Sequence, residues 1–324
     1  MSDATHWSFP TRLRPDPDKV DFDLATALSS VVLVHSEVPE DAFTASTLGT
    51  ERIGHGTVIS PDGLVLTIGY LITEAQSVWL TTSEGTVVAG HALAYDQVSG
   101  FGLILPLGRL DVPYLRRGSA AESSVNDDVI VIAHGGIEHC LAAKVIARRE
   151  YAGYWEYLLE DAIYTSPPHP QWGGAALLSQ AGRLIGVGSL ILQEAVAGDA
   201  FDANMFVPID LLEPILEDML KLGRRGGPPR PWLGMSTTSM QGQLVVGSLT
   251  QGGPAHRAGV RVGDVVLEVA GQPVTDLGEL FRKVWSVGPA GSDIPITLAR
   301  GRSTSQVHVR SADRNDYLSK PRKH

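Results

Sequence analysis

Between about residues 29 and 207 the apolar positions fall in short runs, such as 56–60, 64–67, 129–133 and 144–147, separated by clusters of Gly, Pro, Asp and Ser. Regularly spaced short runs of this kind predict strands, and many in succession predict an all-β barrel or sandwich. Val31, Val32, Leu33 and Val34 read as the first strand. The period then changes. Leu212, Ile215, Leu216, Met219 and Leu220 recur at helical spacing, and Gly223 supplies the stop. Asp210 is expected to cap that helix, with Glu213 three residues on as in a capping box, and Pro214 falls in the first turn, where its missing amide does no harm. Residues 223–230 are too rich in Gly and Pro for an element interior and read as a linker. A second core follows, from Pro231 to about Ala312. Within it Leu277, Leu280, Phe281 and Val284 predict a helix over about 276–286.

Composition narrows the classes of function. The chain has 324 residues, enough for two domains, and 43% hydrophobic with 19% charged residues is ordinary for a globular protein. A net charge of -10 argues against a general affinity for nucleic acid. No run reaches the roughly 18 apolar residues of a membrane-spanning helix. Residues 1–20 carry Pro10, Pro15, Pro17 and mixed charges without a basic start leading into an apolar core. The expectation is therefore a cytoplasmic protein, with a periplasmic one as the alternative. The single Cys140 excludes an internal disulfide. His139 and Cys140 are adjacent, so on a strand they point to opposite faces and form no Cys–His pair. His55, His134 and His139 read as surface or strand residues, and no cofactor or metal site is expected.

Three frames carry the candidate chemistry. The first runs from Gly54 and His55 through Ser60, Pro61, Asp62 and Gly63 to Gly69, Tyr70, Leu71 and Ile72. The second is Asp96, Gln97, Val98, Ser99, Gly100, Phe101, Gly102, Leu103, Ile104. The third runs from Asp161 to Gly188 and contains Gln171, Trp172, Gly173 and Gly174. In this order they resemble the segments that deliver histidine, aspartate and serine in HtrA-type (DegP-like) trypsin-fold proteases. The resemblance implies a trypsin-like double β-barrel. It also places Tyr70 at the histidine position, Gly100 at the aspartate position and Trp172 at the serine position, with Pro170 where the family has an oxyanion-hole glycine.

The family mechanism needs a hydroxyl nucleophile, an imidazole and an orienting carboxylate. An indole has no nucleophilic oxygen, a phenol loses its proton only near pH ~10, and proline has no amide hydrogen to donate. The expectation is a protein that is not an enzyme, a catalytically inactive family member (pseudoprotease). The alternative is an active endopeptidase with a relocated site built from Ser166, His169 and Asp161. Trp172 either fills the vacated cleft or, with Tyr70 and Phe101, forms an apolar binding surface.

The second core is similar to a PDZ domain of the HtrA type. Trp232, Leu233, Gly234 and Met235 match the loop that receives a ligand's C-terminal carboxylate. Gly252, Gly253, Pro254 and Ala255 match the turn and helix that follow, and the run 263–274, from Gly263 and Asp264 to Pro273 and Val274, is its most specific stretch. The implied chemistry is strand addition beside residues 233–236, with the helix bearing Leu280, Phe281 and Val284 as the opposite wall.

The expected organisation is an N-terminal tail at 1–20, a trypsin-like domain at 21–222, a linker at 223–230, a PDZ domain at 231–312 (α+β, a partly open barrel with two helices) and a basic tail at 313–324. Expected partners are protein or peptide C-termini and unfolded segments, with the chain as scaffold, adaptor or regulator, or as regulatory subunit of an active homologous protease. The resemblance also implies a homo-trimer, for which Trp7, Phe9 and Phe22 are candidate contacts. The basic terminus lacks the apolar last residue such grooves select, so self-binding is not expected.

Overall fold

The computed structural model describes residues 7–153, 157–196 and 199–319. The chain divides into two compact units. One runs to Arg149, resumes over Asp161–Gly226 and takes Ser319 onward, and the other holds Glu150–Glu160 and Gly227–Leu318.

The first unit is two closed six-stranded antiparallel barrels. Strands β1 (Val31–Glu37), β2 (Glu51–Val58), β3 (Val65–Ile68), β4 (Ser77–Thr81), β5 (Val87–Tyr95) and β6 (Phe101–Pro106) close in the order β1-β2-β3-β6-β5-β4. Strands β7 (Asp128–Ile132), β8 (Cys140–Gly153), β9 (Tyr157–Ser166), β10 (Ala176–Leu178), β11 (Leu184–Val196) and β12 (Asp199–Pro208) close as β10-β11-β12-β9-β8-β7. Closure leaves no unpaired strand edge. All four residues of β3 are buried, as are all three of β10, because these short strands take side chains into the core on both faces. Two short helices, α1 (Leu24–Ser29) and α2 (Ala45–Leu48), flank β1, and α3 (Glu213–Leu222) leaves the second barrel. The Asp23 carboxylate caps α1, accepting from the Thr26 amide at 3.0 Å.

Two expectations need correction here. The stretch read as an N-terminal tail is ordered structure from Trp7 onward. Thr11–Leu13 and Pro17–Lys19 form 3-10 turns, and Phe9 is buried in the second barrel's core with Val131, Leu141, Ile163 and Phe206. Its Pro-rich composition hides this, since one aromatic anchor needs no periodicity. Asp210 lies in a 3-10 turn and does not cap α3. Its carboxylate accepts from Ser119 Oγ at 2.5 Å and from the Ala120 amide at 2.6 Å, joining the end of the second barrel to the loop that enters it. Gly223 does end α3, in the left-handed region at φ 72°.

The second unit is a six-stranded sheet. Strands β13 (Met235–Met240), β14 (Gln243–Leu249), β15 (Val265–Val269), β17 (Asp293–Arg300) and β18 (Ser303–Arg310) lie in that order, and β16 (Gln272–Pro273) pairs with β15. Helices α4 (Pro254–Arg257) and α5 (Leu277–Val287) complete it. Asp276 caps α5 by accepting from the Glu279 amide at 2.8 Å, while Glu279 reaches back to the Thr275 amide at 3.0 Å. The core gathers Leu233, Val246, Val269, Phe281, Ile296 and Val309.

The unit's bounds differ from the expected 231–312. Ala152 and Leu158, from the tip of the β8–β9 hairpin, pack on this core, and Glu150 pairs with Arg282 of α5, so the hairpin tip clusters with the sheet. At the other end the chain continues past Ala312, whose backbone exchanges hydrogen bonds with Trp232 at 2.9 and 3.0 Å. The Tyr317 ring then rests 4.7 Å from the Trp232 ring. The remaining basic stretch, 320–324, lies outside the described residues, as do 1–6.

Candidate functional sites

The three frames meet between the two barrels. Tyr70 stands in the 3-10 turn Gly69–Leu71 that ends β3. The Gly69 amide donates to the Gly100 carbonyl at 2.6 Å, and Gly100 sits at φ 80° in a turn closed by its own amide on Asp96 O at 2.8 Å. From the second barrel, the Gly173 carbonyl accepts the His55 amide of β2 at 2.8 Å, while the Gly174 amide donates to Gly188 O at 2.8 Å. A Cβ placed on Gly173 would lie 2.9 Å from the Tyr70 hydroxyl. The 170–173 loop is thus stitched to β2 on one side and to β11 on the other.

The side chains at this meeting point are engaged. The Tyr70 hydroxyl donates to the Ser189 carbonyl at 3.0 Å, and Trp172 is a side-chain hydrogen-bond partner of Tyr70. Burial pushes the Tyr70 phenol well above its ordinary range, only partly offset by Trp172, so it stays protonated at neutral pH. Asp96, four residues before Gly100, has its carboxylate committed to Ser99 and to Arg225. Although burial alone would raise its pKa, the Arg225 and Ser99 hydrogen bonds hold it below the usual carboxylate range. A cleft of about 290 Å³ opens beside these groups, and Ile53, His55, Tyr70, Pro170, Gln171 and Trp172 are among the residues that line it. Phe101 takes no part in it. Its side chain is fully buried in the first barrel, so the expected surface keeps only Trp172 and Tyr70.

Ser166, His169 and Asp161 are not brought together as a second catalytic set. His169 has both ring nitrogens occupied, Nδ1 accepting from the Gln171 amide at 3.0 Å and Nε2–H donating to His139 O at 3.0 Å. Asp161 pairs with Arg148. Ser166 lines a separate groove of about 600 Å³ with Arg14, Lys19, Asp128 and Lys144.

His55, read as a surface or strand residue, is a strand residue of β2, 3% exposed, and what sequence reading did not find is its partner, the His134 amide donating to its Nδ1 at 3.1 Å. His139 lies in a 3-10 turn, Gly136–His139, and Cys140, the first residue of β8, is a buried free thiol pushed up to about 12 by burial. Histidines scattered at positions 55, 134, 139 and 169 leave no local pattern to find. Among the described residues no group of three or more His, Cys, Asp or Glu side chains is placed to hold a metal ion.

In the second unit β13 ends the sheet order, with no strand beyond it among the described residues. Trp232, Leu233, Gly234 and Met235 lead into it. Gly234 turns the chain at φ 70°, its carbonyl accepts the Thr250 amide at 2.8 Å, and the Leu233 carbonyl accepts the Ala255 amide at 2.8 Å. Leu233, Met235, Leu280, Phe281 and Val284 all lie in the core, each under a tenth exposed. These side chains therefore fix the spacing between β13 and α5 from beneath.

The comparisons agree with this architecture. A model of the trypsin-like peptidase domain family matches residues 54–187, and a model of the PDZ domain matches 231–310. Serine endoprotease DegS of Haemophilus influenzae is 22% identical over 311 residues, covering 90% of this chain and 87% of DegS. The Halomonas elongata protein named Probable periplasmic serine endoprotease DegP-like is 24% identical over 81% of this chain, which spans only 56% of that relative. Among solved structures, HtrA-type protease AlgW with a decapeptide superposes with a TM-score of 0.55 at 18% identity, covering 93% of this chain and all of AlgW. The serine endoprotease from Yersinia pestis gives 0.52 at 19% identity, over 91% and 99% of the two chains.

These findings overturn the expectation of a non-enzyme. The peptidase-domain match and relatives named as serine endoproteases set the chain among proteases at family level. Tyr70, Gly100 and Trp172 do not themselves supply that assignment. The chain carries a trypsin-like peptidase domain followed by a PDZ domain, and the relatives and solved structures it is similar to are HtrA-type (DegS/DegP-like) proteases.

Proposed function

We propose that this chain binds extended peptides by their C-terminal ends through its PDZ unit, as an adaptor or regulator of the proteins that carry them. The observation that carries the reading is the open edge of β13, entered through the left-handed turn at Gly234. An added peptide strand satisfies the free backbone groups of such an edge, and amides of a tight preceding loop suit a terminal carboxylate. The buried apolar floor of Met235, Leu280 and Val284 favours a peptide ending in an apolar residue. AlgW, a structural neighbour, is known in complex with a tripeptide and with a decapeptide, which supports the same use of this fold here.

The test is a titration of fluorescent decapeptides that end in an apolar residue, with a free or an amidated terminus. Losing the charge-assisted hydrogen bonds of the carboxylate is expected to weaken binding by about tenfold or more. Equal affinities would remove the carboxylate from the account. Gly234→Ala gives a second reading. The new Cβ would meet Pro254 and Trp232 at 3.1 Å in a backbone conformation that costs alanine about 1 kcal/mol or more, so the loop must shift. Peptide affinity is expected to drop at least about fivefold, the equilibrium equivalent of ~1 kcal/mol, while the unit stays folded by circular dichroism.

A further inference from the structure

The N-terminal segment packs over one residue of the 169–173 stretch. Trp7 stacks on the His139 ring at 4.4 Å and meets the His169 ring edge-on at 5.8 Å, while Phe9 meets His169 at 5.0 Å and 72°. The segment is tied down by its backbone as well, through the Phe9 amide on Glu138 O at 2.9 Å and Arg14 Nε on Phe9 O at 2.6 Å. Under it, His169 has no exposed surface. Asn204 grips its backbone from both sides, Oδ1 accepting the His169 amide at 2.6 Å and Nδ2 donating to His169 O at 3.1 Å. The ring can then accept the Gln171 amide on Nδ1 only while that nitrogen carries no proton.

We infer that residues 7–9 are a strap that holds the 170–173 loop in register by keeping His169 buried and neutral. Proton uptake at Nδ1 would set two N–H donors against each other and release the Gln171 amide next to Trp172. The titratable and charged side chains on elements packed around His169 are His139 and Glu138 of the 3-10 turn, His134 after β7, His55 of β2 and Arg14 beyond the strap. None of its hydrogen-bond partners is a carboxylate that would favour an imidazolium, and burial holds it at about 4, well under the ordinary 6.5. The two ring nitrogens of His139 face carbonyls, Trp7 O at 2.9 Å and His134 O at 3.2 Å, while its ring stacks on Trp7, so the strap is held by polar as well as ring contacts.

The test uses the full chain, with NMR titration of the histidine rings and hydrogen exchange at the Gln171 amide. In the unaltered protein His169 should not titrate between pH 7 and 5, and Gln171 should stay protected over that range. Trp7→Ala should raise the His169 midpoint toward 6.5 and speed Gln171 exchange by about tenfold or more, leaving the Gly69 amide of the other barrel unchanged. Trp7→Phe, which keeps a ring on His139, should restore most of the protection. The inference is overturned if Trp7→Ala leaves both readings unchanged, or if Gly69 and Gln171 accelerate together, which would mark a general loss of stability. Should Trp7→Ala fail to fold, the unaltered protein still decides, because a His169 midpoint near 6.5 there also overturns it.

Discussion

Lowering the pH from 7 to 4 is expected to destabilise the double-barrel unit by on the order of 3 to 6 kcal/mol. Two imidazoles set that range. Burial, with smaller contributions from neighbouring histidines, depresses His55 to about 3, and burial depresses His169 to about 4. In the unfolded chain both return to about 6.5. Below that value the unfolded state binds protons that the folded state refuses, so stability falls as pH falls, starting near 6.5. The loss from His169 is complete near pH 4, and that from His55 continues to about 3. At roughly 1.4 kcal/mol per pH unit, each group alone contributes about 3 kcal/mol by pH 4. The upper figure treats them as independent, whereas His169 is one of the charges that depress His55, which pulls the sum down. The buried carboxylate of Asp96, held below 3.8, adds its own loss only at lower pH. Against a typical total of about 5–15 kcal/mol the histidine loss is decisive. Urea unfolding followed by a signal of the first unit, at half-unit steps from pH 7.5 to 4, checks it. His169→Asn, which can keep an acceptor near Nδ1 but cannot titrate, should be less stable at pH 7 and flatter below 6.5. A midpoint that stays level between pH 6.5 and 4.5 would sink the account.

The barrel strands, the helix stripe over residues 212–220 and the second core were legible because burial of one face, or of both, imposes a period on the chain. The three frames were legible through their resemblance to the segments of a known family, and Gly100, at φ 80°, closes a turn and receives the Gly69 amide on its carbonyl. What eluded sequence reading was bonded across long separations. Asp210 could be read only as a local cap, because nothing near it announces Ser119 and Ala120. The Tyr70 hydroxyl ends on the carbonyl of Ser189, and a strand carbonyl leaves no mark on residue type. Phe9 and Trp7 looked like stray aromatics in a Pro-rich lead, and their partners His139 and His169 are remote in sequence. In α5, helical spacing showed that Leu280, Phe281 and Val284 share a face, but not that this face is wholly core.

Gly174→Ala is expected to cost the same unit on the order of 3–5 kcal/mol, more than any other small substitution near the cleft. Two effects combine at this position. Gly174 sits at φ 75°, where a Cβ costs about 1–2 kcal/mol of backbone strain. Here that Cβ would also lie 1.8 Å from the His55 carbonyl oxygen, far inside van der Waals contact. The oxygen has little freedom to retreat, because it accepts the Thr67 hydroxyl at 2.6 Å and its own residue's amide is bonded to Gly173 O at 2.8 Å. The 170–173 loop must therefore move, taking Trp172 and the cleft with it. Gly136 separates the two effects. It has the same φ of 75°, but a Cβ there would meet nothing within 4 Å, so Gly136→Ala should show the strain alone, about 1–2 kcal/mol. Unfolding free energies of the two variants at pH 7.5 give the comparison. If they are equal, the contact between residue 174 and β2 is soft, and the loop is not held against the first barrel as tightly as its hydrogen bonds imply.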